Sequence, residues 1–168
     1  LTGIPASGNG SINQTFTSFV DMVAIAGIVT DQEIQDALDL FRVNVSGLAG
    51  KLIEDVTKKE YSYSHGWFQD DYELRDDDDS SYLVVTATTA KYQHGQFTFT
   101  TARTEESLFI TGWRHIPELA LAHLWEHIAN DDRRFSYYQS GQRAVSKKDM
   151  FEFAESYRKI GQKKQAEV

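Results

Sequence analysis

The chain has 168 residues, 40% hydrophobic and 12% aromatic, which suits one folded domain with a sizeable core and excludes a disordered polymer. A formal charge of −8 and a pI near 5.0 oppose the phosphate backbone, so nucleic acid is not an expected partner. There is no cysteine, which rules out disulfides, thiol nucleophiles, cysteine zinc sites and iron–sulfur clusters.

Residues 1–14 are small, polar and Gly-rich, and they read as a flexible leader. From Thr15 the pattern turns helical, with Phe16, Phe19, Val20 and Val23 along one stripe. The run VDMVAIAGIV from Val20 to Val29 is apolar except for Asp21, yet shorter than the roughly 20 residues needed to cross a bilayer. It predicts a helix buried on most sides. Thr30-Asp31-Gln32-Glu33 is a capping box, in which the Thr30 hydroxyl and the Glu33 carboxylate satisfy each other's backbone N–H groups. Beyond it, Ile34, Leu38, Phe41, Val45, Leu48 and Leu52 alternate in steps of four and three, predicting a long second helix. Gly47 and Gly50 lie inside it at about 1 kcal/mol each relative to Ala. Residues 15–57 therefore read as an αα-hairpin.

After Lys59 the period becomes two. Glu60 to Leu74 is an aromatic strand with Tyr61, Tyr63, His65 and Trp67 on one side. Ser81–Tyr92 and Gln96–Arg103 are cleaner strands joined by a two-residue turn at His94-Gly95, which pairs Tyr92 with Phe97 and Ala90 with Phe99. Lys91, Thr89, Thr98 and Thr100 make the wet face of that pair. Leu108–His115 completes a four-stranded meander. Pro117 opens a helix that runs to Asn130, Phe135–Gln139 is a candidate fifth strand, and Ser146 begins a last helix that Gly161 stops. Residues 162–168 form a frayed tail. The whole predicts a single α+β domain over 15–161, its N-terminal αα-hairpin and C-terminal helices packed on a four- to five-stranded antiparallel meander.

The sharpest chemical signal is His123-Leu124-Trp125-Glu126-His127, an H-x-x-E-H pattern. On a helix it sets two imidazoles on one face, four residues apart, with Glu126 beside them as the base for a metal-bound water. Leu121, Leu124, Trp125 and Ile128 define the apolar face, which turns both histidines to solvent, and a hydrolase needs them in a cleft. A third ligand is also required, for which Glu152 and Glu155 are the downstream candidates. His115 stands eight residues from His123, about 12 Å along the axis, and is too far to share an ion. The run Asp76-Asp77-Asp78-Asp79 fails as a calcium loop, since Ser81 and Ala87 occupy the positions that require glycine and glutamate.

Two further surfaces suit binding. Tyr61, Tyr63, His65 and Trp67 either present flat rings for stacking or pack into the core under the helical hairpin, and the Thr-rich strand pair suits a half-buried sheet. The resulting expectation is a non-catalytic binding domain for a protein or small surface ligand, without a cofactor. The alternatives are a zinc-dependent hydrolase using His123, His127 and Glu126, and a secreted membrane-active protein. No signal peptide is visible, so the chain is expected to be soluble, either cytoplasmic or secreted after processing.

Overall fold

The computed structural model describes residues 28–53, 59–76, 84–102, 107–141 and 145–167. It is an α+β fold. Two compact units divide it: Leu1–Arg42 together with Ile116–Val168, and Val43–His115. The expected leader and first helix lie outside the described residues.

The first unit is helical among its described residues: α1 Asp31–Leu40, α2 Pro117–Asn130, α3 Asp132–Gly141 and α4 Lys147–Ala166. Local chemistry sets where each begins. The Thr30 N–H donates to Glu33 Oε2 at 2.7 Å and the Glu33 N–H donates to Thr30 Oγ1 at 3.2 Å, which is the anticipated capping box. Ser146 and Asp149 repeat the device at the start of α4, with reciprocal bonds of 2.8 and 3.2 Å. Pro117 occupies the first turn of α2, where a missing N–H costs nothing. The α2 side chains Leu119, Leu121, Leu124, Trp125 and Ile128 are buried, and Ile34 and Leu38 of α1 and Met150 and Ala154 of α4 are buried too.

Gly161 does not stop α4, which continues to Ala166. It is buried against α2: a Cβ there would lie 2.6 Å from Leu119 Cγ and 3.0 Å from the Leu119 backbone nitrogen. The glycine serves close approach of two helices and not termination. Phe135–Gln139 is helical as well, and no fifth strand forms there. The Asp131 carboxylate accepts the backbone N–H groups of Arg133 and Arg134 at 3.0 and 3.2 Å, seeding α3. That turns Tyr138 onto Trp125, edge to face at 5.8 Å.

Among its described residues the second unit carries a seven-stranded sheet in the order β4-β3-β7-β1-β2-β6-β5. Its strands are β1 Arg42–Leu52, β2 Glu60–Ser62, β3 Glu73–Asp76, β4 Val84–Val85, β5 Thr89–Lys91, β6 Gln96–Thr98 and β7 Ser107–His115. The recorded pairings are antiparallel, but the order is not a simple meander. The long second helix expected to reach residue 57 ends at Leu40. Val43 and Val45 favour extended backbone, and Gly47 has φ +65°, which no α-helix accommodates. Three-and-four spacing had mimicked a helical seam in what is β1.

β4 and β5 sit at opposite edges of the sheet although only residues 86–88 separate them. A flat sheet of this width would set its edges about 29 Å apart, and four chain steps span at most about 14 Å. The sheet must therefore curl until its edges approach. Its inside is aromatic: Tyr61, Tyr63, Phe68, Phe97 and Phe99 pack with Val45, Leu74, Leu108 and Ile110. Between β5 and β6 the register pairs Ala90 with Phe97, not with Phe99, because Tyr92–His94 forms a 3-10 turn ahead of Gly95. A shift of two residues leaves every side chain on its expected face.

Candidate functional site

Helix α2 carries the histidine pair. Its leucine and tryptophan side is interior, and His123 and His127 project on the exposed side. The two rings are nearly parallel, at 18°, with centroids 6.5 Å apart. Phe41 meets His123 edge to face at 5.8 Å. Next to His127, whose side chain is 48% exposed, stands Glu33 of α1, with Oε1 3.8 Å from Nε2.

The Glu33 carboxylate is held from several directions. Arg134 of α3 donates to Oε1 at 2.6 Å, and the Thr30 backbone N–H donates to Oε2. The Arg134 hydrogen bond, opposed by partial burial and aided by Thr30, brings the Glu33 carboxyl down to about 2. Arg134 also donates to Asp131 Oδ2 at 3.2 Å and to the Ile28 carbonyl at 3.3 Å. A fixed negative charge thus borders the imidazoles, locked by a guanidinium spanning α1 and α3.

Glu126, the expected base, is ion-paired with Arg158 of α4, which also donates to Glu155 at 3.2 Å. The downstream ligand candidates are committed elsewhere: Glu155 also faces Lys159 at 3.6 Å, and Glu152 faces Lys148 at 3.7 Å. Among the described residues no three His, Asp or Glu side chains gather closely enough to hold a metal ion. His115 is buried and shares a 3.1 Å hydrogen bond with Gln69. Asp76 ends β3, and the rest of its acidic run lies outside the described residues.

The aromatic stripe is divided. Tyr61 is 0% exposed, and Tyr63 is buried with its hydroxyl donating to the Leu108 carbonyl at 3.0 Å. Burial pushes the Tyr63 phenol well above its ordinary value. Both rings pack edge to face in the sheet core, Tyr61 on Phe99 at 5.7 Å and Tyr63 on Phe97 at 5.4 Å. These two tyrosines are core residues, because large rings fill the inside of a curled sheet, and they are not a stacking surface. His65 and Trp67 are half-buried, and Trp67 at φ +65° leaves the strand alternation altogether.

The residue pattern places Met150, Ala154, Tyr157 and Ile160 along one face of α4, but only Met150 and Ala154 are fully buried there. Phe153 is 43% exposed and Ile160 45% exposed, and Tyr157 between them is half-buried. The spacing of four and three places all three on one flank of the helix. Phe153 also rests on Trp125 at 5.6 Å, so the flank continues into the core of α2. The available signal was the pair Phe151 and Phe153: residues two apart cannot both face inward from one helix.

Among the described residues no helix is long and apolar enough to cross a membrane. Compared with known proteins, the chain matches no protein-family model, no curated protein and no solved structure.

Proposed function

We propose that the chain is a non-catalytic interaction domain that engages a protein partner through the Phe153–Tyr157–Ile160 flank of α4. The observation that carries this reading is the exposure of Phe153 and Ile160, two large apolar side chains about two helical turns apart. Anchors at such spacing are what a helix offers to an apolar groove. The cations of α4 are largely spoken for, Lys147 by Asp132, Lys148 by Glu152, Arg158 by Glu126, Lys159 by Glu155 and Lys164 by Glu118, which leaves recognition to the apolar side chains. The complementary partner is therefore a protein with an apolar groove. Catalysis at the histidine pair is the weaker reading, since Glu126 is already bound to a guanidinium.

The test compares the wild-type chain with a Phe153→Ser, Ile160→Ser variant. Both residues are partly exposed, so the variant keeps its helical circular dichroism and melts within a few degrees of wild type. Proteins enriched on the wild-type chain are purified and rebound to both forms. The expected result is at least tenfold weaker binding to the variant, with backbone exchange along α4 slowed in the wild-type complex. Equal binding to both forms, with protection away from α4, would overturn the proposal.

A further inference from the structure

The two histidines of α2 support an inference that is independent of the α4 flank. We propose that His123 and His127 form a surface chelate for a divalent transition metal of the zinc, nickel or copper class. Residues four apart on a helix stand one above the other, and here the imidazoles are near-parallel, at 18°, with centroids 6.5 Å apart. Both side chains are exposed, and His127 is free to turn a nitrogen toward an ion shared with the more restrained His123. Imidazole donors select borderline transition ions, whereas calcium and magnesium require a shell of oxygens.

The surroundings can support the imidazoles as ligands. The Glu33 carboxylate, 3.8 Å from His127 Nε2, is beyond hydrogen-bond length and sets an acceptor oxygen at the edge of the pair, its charge offset by Arg134 at 2.6 Å. That oxygen is placed to accept a hydrogen bond from a ring N–H or from metal-bound water, the usual arrangement around a ligating histidine. Phe41 packs edge-on against His123 and limits where that ring can turn. Two protein ligands leave the other coordination positions to water. The site is thus a chelate distinct from a catalytic zinc centre, which takes three protein ligands.

The experiment uses the untagged chain titrated with zinc chloride and, separately, copper chloride by isothermal calorimetry. The expected result is one ion per chain, with affinity at least tenfold weaker in His123→Ala and in His127→Ala and unchanged in the control His94→Ala. Electron paramagnetic resonance of the copper adduct gives a readout that needs no variant, and splitting from two imidazole nitrogens is expected. Absent binding at protein concentrations of tens of micromolar, affinity unaffected by either α2 substitution, or a copper spectrum without two nitrogens would each overturn the proposal.

Discussion

At the scale of single residues, Glu33 ties a local signal to long-range structure. Its place in the capping box was readable three residues from Thr30, but its ion pair with Arg134 joins positions 101 apart. The folded Glu33 pKa of about 2 lies below the ordinary 4.5, so the stability that the ion pair contributes is complete above pH 4.5 and is lost as pH falls toward 2. Glu33→Gln should lower stability by about 1–2 kcal/mol near neutral pH, a figure reduced for partial exposure, and by almost nothing near pH 2. Urea melts of both forms between pH 2 and 7 check this, and a constant difference across that range would refute it. Gln35 makes the opposite case, being 1% exposed with neither amide atom hydrogen-bonded among the described residues. Replacing it with the similarly sized Met removes an unsatisfied buried amide and should stabilise by about 1–3 kcal/mol, seen as a higher melting temperature.

At the scale of elements, packing decides against propensity at the α2–α4 crossing. Gly161→Ala improves helix propensity by about 1 kcal/mol, so an isolated α4 peptide should gain helicity. In the protein the new methyl group would meet Leu119 Cγ at 2.6 Å and Cδ2 at 2.7 Å. The folded chain should therefore lose about 1–3 kcal/mol in chemical denaturation, and an unchanged or raised midpoint would show that the two helices separate freely. β1 teaches the converse lesson. Ile34, Leu38, Val45 and Leu52 obey a helical period, yet only the first two are helical. Spacing alone did not separate a helix from a strand whose buried positions happen to coincide with it. The α2 pattern, by contrast, was long, opened by proline and free of β-branched runs, and its inward and outward faces are as read.

At the scale of the molecule, the sheet unit is an insertion. Residues 43–115 leave the helical unit after α1 and return before α2, and the Ile116 N–H donates to the Phe41 carbonyl at 2.9 Å. The two cut ends are thus already adjacent, the condition under which insertions are tolerated. A variant with 43–115 replaced by a few glycines should retain helical circular dichroism and a cooperative melt. Loss of both would show that the helices depend on the sheet.

What the sequence by itself determined were features written within a few residues: the Thr30 capping box, the start of α4 at Ser146, the proline start of α2, the turn of its histidines to solvent, and the α+β class. Each follows from backbone hydrogen bonding or from the period of one amphipathic element. Tertiary structure decided the rest. Curling of the sheet drew Tyr61 and Tyr63 inside, close approach of α4 gave Gly161 its role, and α1 and α3 brought Glu33 and Arg134 beside His127. Such outcomes depend on contacts between residues tens of positions apart, where no local period or propensity carries the information.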